Sequence, residues 1–500
     1  MSKIQVQKLN EVYIRVTGES HIEQELSDFF KFDVPTAKFM PQFRKRAWNG
    51  FIFLYSQRTK LLYHGLLDHL KLFCSERDIE IELQKDRLPS DFNPVNFTDQ
   101  EALKFVELIK PTREPRDYQL DAFTQCVRNH RALILSPTGS GKSLIIYLLA
   151  RLYTLNKSQR KFLIIVPTIS LVHQMASDFI SYGYDENKIH KITAGESKDT
   201  DKPIIISTWQ SIFNLHKTWF NQFKAVVIDE AHLAKAKSLT GIMTKLVNCK
   251  YRFGFTGTLD NVHCNKLIIE GLTGPVKRVI STKNLIDRKQ LATLDIKILV
   301  LGYDEQSRKL AKDLDYQGEM DFLTLNEDRN RFIKNLVLSL EGNTLVLYQY
   351  VDKHGKVLFD QISSSGRECY FVHGGVDGKD REDTRIKVDS SENSIIVASY
   401  GTYSTGINIT NLHNIVFASP SKSKVRVLQS IGRGLRTSST KDTATLYDIA
   451  DDLTYKGKRN YTLDHLFERV KNYNEERLPY KIHNIEIQKD NPPSLQIDNG

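Results

Sequence analysis

A chain of 500 residues is too long for one hydrophobic core and points to several domains of about 100–200 residues each. Its 70 Lys and Arg against 60 Asp and Glu leave a formal charge of +10, which favours a polyanionic partner, and 40% hydrophobic content excludes a largely disordered chain. The five scattered cysteines form no C-x-x-C pair, the opening MSKIQVQKLNEVY has no apolar signal core, and no uncharged apolar run nears the roughly 20 residues of a membrane helix.

These exclusions leave a soluble cytoplasmic protein with reduced thiols and no membrane partner. Residues 1–85 open with Ile4 and Val6, then Val12, Ile14 and Val16, at the period of two that half-buried strands require; helical segments follow. A small basic α+β domain is expected there. Within it, Lys38 to Gly50 carries four basic residues, no acid and three aromatics. Arg44, Lys45 and Arg46 suit phosphates, and Phe43 or Trp48 suits stacking on an opened base, although Phe39 and Trp48 equally suit a small core. Residues 86–112 read as a linker holding Pro89 and Pro94, then a connecting helix that Thr98-Asp-Gln-Glu101 opens as a capping box.

From Ala132 onward, Val/Ile/Leu runs alternate with helical stretches: Ala132–Leu135, Phe162–Pro167, Ile204–Thr208, Ala225–Glu230 and Arg252–Thr258. Strands buried on both faces have this composition, so residues 113–290 are expected to form a parallel α/β lobe. Ser136-Pro-Thr-Gly-Ser-Gly-Lys-Ser143 lies between a strand and a helix start. Gly139 and Gly141 let backbone N–H groups turn inward around an anion, and the following helix adds its positive end. Lys142 can reach β- and γ-phosphates, and Ser143 can ligate Mg²⁺. Downstream, Asp229 and Glu230 of Asp-Glu-Ala-His232 end a buried run, fitting one carboxylate that holds a metal and a second that orients water. A kinase or signalling switch has no use for that Glu; a hydrolysing ATPase has.

A second set of runs follows: Thr344–Tyr350, Tyr370–Gly374, Ser394–Tyr400, Asn414–Pro420 and Ala444–Ala450. Residues 291–455 are therefore expected to form a second α/β lobe, with the charged stretch Glu305–Leu340 read as a helical insertion or hinge-side hairpin. Arg433 and Arg436 stand at i and i+3 on one helical face. An arginine delivered to a γ-phosphate accelerates hydrolysis by about 10³–10⁵. Carrying it on a second lobe would make hydrolysis depend on lobe closure. Residues 456–500 read as a short helical C-terminal extension with a polar, proline-bearing tail from Ile487.

In this order the segments resemble the superfamily 2 helicases from Arg113 to Asp452. Arg116-Asp-Tyr-Gln119 is similar to the adenine-reading Q motif, which implies ATP. Ser136, Pro137, Thr138, Gly139, Ser140, Gly141, Lys142 and Ser143 resemble motif I, where Ser is usual at the first position. The resemblance implies strand contacts at Pro167, Thr168, Thr208, His373, Ser399 and Thr402, and coupling through His232, Thr256 and Thr258. It implies nucleotide contacts at Gly406 and Asn408, and catalysis by Gln429, Arg433 and Arg436 together with Lys142, Asp229 and Glu230. Asn408 stands where Asp is common, and Tyr400 where a strand-contacting threonine is common.

The layout more narrowly resembles the UvsW-type recombination helicases of bacteriophages. That likeness implies two tandem RecA-like lobes using ATP and Mg²⁺ on single-stranded or branched DNA (forks, Holliday junctions, R-loops with their RNA–DNA hybrid), as a monomer in the host cell cytoplasm. An RNA helicase, the motor subunit of a restriction system and, from another class, a passive strand-annealing protein also remain open. ATP turnover with and without branched DNA separates the last of these.

Overall fold

The computed structural model describes residues 2–34, 37–83, 95–155, 160–193, 195–235, 237–259, 263–406, 409, 411–421, 423, 427, 430–432, 435 and 443–487. Most of the expected proline-bearing linker and the tail beyond 487 lie outside them. The chain divides into two compact units, Met1–Ser136 with Gly141–Ile280 and Pro137–Ser140 with Ser281–Gly500.

The first unit begins with β1 (Lys3–Lys8) and β2 (Tyr13–Gly18), antiparallel as their alternation requires. A short ribbon of β3 (Lys31–Asp33) and β4 (Phe51–Phe53) stands apart from the sheet that β5 (Leu61–Tyr63) and β6 (Glu80–Leu83) complete in the order β5-β2-β1-β6. Ile4, Val6, Ile14 and Val16 share one core with Ile22 and Leu26 of the helix Ser20–Phe29 and Leu70 and Phe73 of the helix Leu67–Ser75. That small core is the expected α+β domain. The capping box also forms: Thr98 Oγ1 accepts from Glu101 N–H, and the Glu101 carboxylate accepts from Thr98 N–H.

The lobe that follows has seven strands: β7 (Arg131–Leu135), β8 (Lys161–Val166), β9 (Ile189–Ile192), β10 (Ile204–Thr208), β11 (Phe223–Asp229), β12 (Tyr251–Thr256) and β13 (Val276–Arg278). Their order is β13-β7-β12-β11-β8-β10-β9, and every pair is parallel. Alternation along β8 places Phe162, Ile164 and Val166 in the core of one face and Leu163 and Ile165 in that of the other. Two buried faces explain why these strands read as unbroken apolar runs.

The N-terminal domain sits against the lobe along the helix His263–Thr273, whose Leu267 is buried in the domain's own core. Approach is close enough that a Cβ on Gly65 would lie 2.1 Å from the Glu270 carbonyl oxygen, and one on Gly271 2.8 Å from Tyr63 Cβ. His69 Nε2 lies 2.7 Å from the buried Glu270 carboxylate, and Glu11 pairs with Arg131 of β7 at 2.8 Å.

The second unit holds another all-parallel seven-stranded sheet, in the order β16-β17-β15-β18-β19-β14-β20. Its strands are β14 (Thr293–Gly302), β15 (Thr344–Tyr348), β16 (Cys369–Val372), β17 (Ile395–Ser399), β18 (Asn414–Phe417), β19 (Thr443–Asp452) and β20 (Tyr480–Glu486). The stretch Glu305–Leu340 is neither insertion nor hairpin. It forms the three helices Glu305–Ala311, Tyr316–Leu325 and Glu327–Ser339, whose Leu323, Phe332, Ile333 and Leu336 build the core over this sheet. Its charge misled because part of it is internal: Arg329 is fully buried and holds Asp451 of β19 through two bonds of 2.7 and 3.0 Å. The C-terminal extension supplies the helix Tyr461–Glu475 and then the sheet-edge strand β20, which pairs with β14.

Asp451→Ala leaves the Arg329 guanidinium buried without its carboxylate, and Tyr303, whose hydroxyl donates to Asp451 at 2.8 Å, without an acceptor. The expected loss is about 3–5 kcal/mol of stability, measured by urea unfolding.

Candidate ATP site and strand-contacting loops

β7 ends at Leu135, and the next residue, Ser136, donates its N–H to the Thr256 carbonyl at 2.9 Å, so the phosphate loop starts from a fixed point on the neighbouring strand. The loop closes on itself: Ser140 N–H and Oγ both donate to the Pro137 carbonyl, at 3.2 and 2.6 Å. Gly139 and Gly141 have φ of +84° and +78°, a region that L side chains avoid. Lys142 Nζ reaches back to the Ser136 carbonyl at 3.3 Å, and the helix Lys142–Leu155 starts here.

Gln119 Oε1 accepts from Arg116 N–H at 2.9 Å and Nε2 donates to the Gly141 carbonyl at 3.3 Å, which ties the adenine-type segment to the loop.

At the carboxyl end of β11, Asp229 is buried and its Oδ1 accepts from Glu230 N–H at 3.0 Å. Burial, then the neighbouring Glu230, pushes the Asp229 carboxyl up to about 6, against the pull of Lys142 and His232. Glu230 takes a left-handed φ of +52°, which turns the chain sharply out of the strand. His232 Nδ1 lies 3.3 Å from Glu230 Oε2 and 3.0 Å from Thr256 Oγ1, whose hydroxyl donates to the Thr258 carbonyl at 2.7 Å. The sequence-selected acids and coupling residues thus form one connected run. The Thr258 hydroxyl is buried with no partner among the described residues.

A buried carboxylate and a serine hydroxyl are the hard oxygen donors that Mg²⁺ takes. The residues fit that ion.

Of the expected strand contacts, Thr168 caps the helix Ile169–Ser181, accepting from Leu171 N–H at 3.3 Å, with Pro167 buried before it. Thr208 is buried, its hydroxyl 2.9 Å from that of Ser211. In the second lobe His373 Nδ1 accepts from Gly375 N–H at 3.1 Å, and the Ser399 and Thr402 hydroxyls meet at 2.8 Å. Gly406 ends the helix Tyr400–Gly406; Asn408, Gln429, Arg433 and Arg436 lie outside the described residues.

In the N-terminal domain Arg44, Lys45 and Arg46 are exposed, and an open cleft of about 870 Å³ is lined by Lys38, Phe43, Arg44, Arg46, Ala47, Trp48 and Asn49. Trp48 is half-buried and its indole N–H donates to the Phe51 carbonyl at 2.7 Å, whereas Phe43 is 37% exposed. The tryptophan anchors the cleft and the phenylalanine ring is the open face.

A phosphate loop and an Asp-Glu-Ala-His turn on the carboxyl edge of one RecA-like sheet, with a second such sheet following, define an ATP-hydrolysing helicase of superfamily 2. Family models agree along the chain: "DNA helicase UvsW, N-terminal" over residues 3–84, "Type III restriction enzyme, res subunit" over 112–261 and "Helicase conserved C-terminal domain" over 328–438. The ATP-dependent DNA helicase uvsW of Enterobacteria phage T4 is 35% identical over 501 residues, covering 95% of this chain and 98% of that protein. The crystal structure of T4 UvsW matches with a TM-score of 0.52 at 32% identity, over 97% of this chain and 100% of that one. A fragment of a HsdR restriction subunit from Vibrio vulnificus YJ016 has a TM-score of 0.56 at 18% identity, over 83% and 74%, and shares the fold alone. The chain belongs to the UvsW family of ATP-dependent DNA helicases.

Gly141→Ala would set a Cβ 2.3 Å from Gln119 Nε2 at a φ of +78°. Strain of about 1–3 kcal/mol corresponds to a loss of about 5- to 150-fold in ATP affinity, measured by fluorescent-nucleotide titration.

Proposed function

We propose that this helicase remodels branched DNA (forks, four-way junctions and R-loops) in recombination, repair and replication, acting as a monomer in the cytoplasm of an infected bacterium. The observation that supports the substrate is the exposed basic and aromatic cleft, carried on a domain fixed to the lobe that holds the ATP site. Arg44, Lys45 and Arg46 meet phosphates at the branch, and Phe43 offers its ring to a base opened there, with Trp48 holding the cleft in shape.

Ser143 and Asp229 would hold Mg²⁺, which would supply positive charge to offset that of the nucleotide's phosphates. Loop N–H groups and Lys142 orient the phosphates, Gln119 and Arg116 read adenine, and Glu230 orients the attacking water. Gly406 and Asn408 contact the nucleotide, and Gln429, Arg433 and Arg436 serve the γ-phosphate. His232, Thr256 and Thr258 carry the change at Glu230 along the sheet edge. Thr168, Thr208, His373, Ser399 and Thr402 contact one strand through its sugar-phosphate backbone without reading bases. At a moving branch each step breaks about 1.4 kcal/mol of stacking and forms an equivalent pair, so ATP supplies direction more than unwinding force.

Lys142→Ala is expected to lower DNA-stimulated ATP turnover by about 10²–10³ while fork binding persists; unchanged turnover would remove the phosphate-loop assignment. Turnover measured on single strand, duplex, fork, four-way junction and RNA–DNA hybrid should be greatest on the branched forms. Equal stimulation by single-stranded RNA would favour the RNA-helicase alternative. Replacing Arg44, Lys45 and Arg46 by alanine should flatten the slope of log affinity against log salt for fork DNA by about 0.9 per lost phosphate contact. An unchanged slope and affinity would separate the N-terminal cleft from DNA.

A further inference from the structure

Tyr182 belongs to none of the sequence motifs, yet it meets the ATP site directly. It follows the helix Ile169–Ser181, its N–H donating to the Asp178 and Phe179 carbonyls at 3.0 and 3.2 Å, and Gly183 turns the chain away at a φ of +92°. Its ring is 6% exposed and packs edge-on against Tyr147, centroids 5.4 Å apart. Tyr147 lies one helical turn beyond Ser143, on the same face. The Tyr182 hydroxyl comes within 2.9 Å of Ser143 Oγ.

The backbone beside it holds the adenine segment's approach. Thr112 N–H donates to the Tyr182 carbonyl at 3.2 Å, and the Thr112 hydroxyl donates to the Ser181 carbonyl. One residue therefore touches both the serine of the phosphate loop and the strand of chain that leads into Arg116 and Gln119.

Either oxygen can donate in this contact. In both directions the Ser143 hydroxyl keeps at least one lone pair while its orientation is held, and that lone pair suits a cation. A serine without that support rotates freely about χ1 and presents its lone pair only part of the time.

We propose that Tyr182 is a positioning residue of the ATP site, fixing the Ser143 hydroxyl so that it binds the metal that accompanies the nucleotide. The inference rests on the assignment of Ser143 as a metal-binding residue given above. Tyr182→Phe removes the hydroxyl and keeps the ring against Tyr147, so folding and packing are preserved.

The test is titration of the full-length chain with a fluorescent ADP, in Mg²⁺ and again in EDTA. Tyr182→Phe is expected to weaken binding about 5- to 10-fold in Mg²⁺, the worth of one buried hydrogen bond, and to leave binding in EDTA unchanged. In a Ser143→Ala background the same substitution should have no effect in either buffer. Wild-type affinity of Tyr182→Phe in Mg²⁺ would overturn the proposal. So would an equal loss in EDTA, which marks a packing defect, or a persisting loss in the Ser143→Ala background. Wild-type Mg²⁺-dependent affinity of Ser143→Ala alone would instead overturn the Ser143 assignment.

Discussion

Two acids at the end of one buried strand set the terms for the first lobe. Val226, Val227 and Ile228 carry β11 through the core with both faces covered, and the next residue is a carboxylate that remains inside. Beside it, Glu230 adds like charge, and together burial and repulsion raise Asp229 far above an ordinary aspartate. Lys142, at the start of the helix that follows the loop, and His232 pull the other way. Even the backbone yields, with Glu230 held in a left-handed turn.

Buried charge is handled differently away from the site. In the second lobe Arg329 and Arg469 are each matched by an aspartate of β19, Asp451 and Asp448, and those pairs join helices to the sheet. In the first lobe Arg252, on the strand that ends at Thr256, is met by three backbone carbonyls, those of Met243, Leu246 and Leu272. Burial draws its pKa down to about 10. These three bonds gather the carboxyl ends of two helices at once. The strand carrying Thr256 is therefore anchored at its base while its tip meets His232.

The parallel sheets were legible because strands covered on both faces leave unbroken apolar runs. Where that condition lapsed, so did legibility. β14 begins Thr-Leu-Asp-Ile-Lys-Ile, and its charged positions broke the pattern, with Lys297 lying over the Tyr447 ring. β20 sits at an edge and its residues are exposed or half-exposed, so it reads as part of the helical C-terminal extension. Charge in Glu305–Leu340 suggested a surface segment because nothing local tells a buried arginine from a solvated one; its aspartate lies 122 residues away. At the ATP site the loop and the acids could be read directly, each being contiguous in sequence. Tyr182 could not, since a lone tyrosine after a helix carries no signal until folding brings it 39 residues back to Ser143.

The seam along the helix His263–Thr273 also bears on how the protein divides. A family boundary near residue 84 invites cutting there, as though the first segment were a detachable reader. Yet Leu267 is buried in that segment's core, Glu270 is buried and meets its His69, and Arg131 at the foot of the phosphate-loop strand pairs with Glu11. Excising the segment would bare an oily stripe and take Glu11 away from Arg131. The N-terminal domain and the nucleotide-binding lobe share a wall, so that removing one uncovers the other.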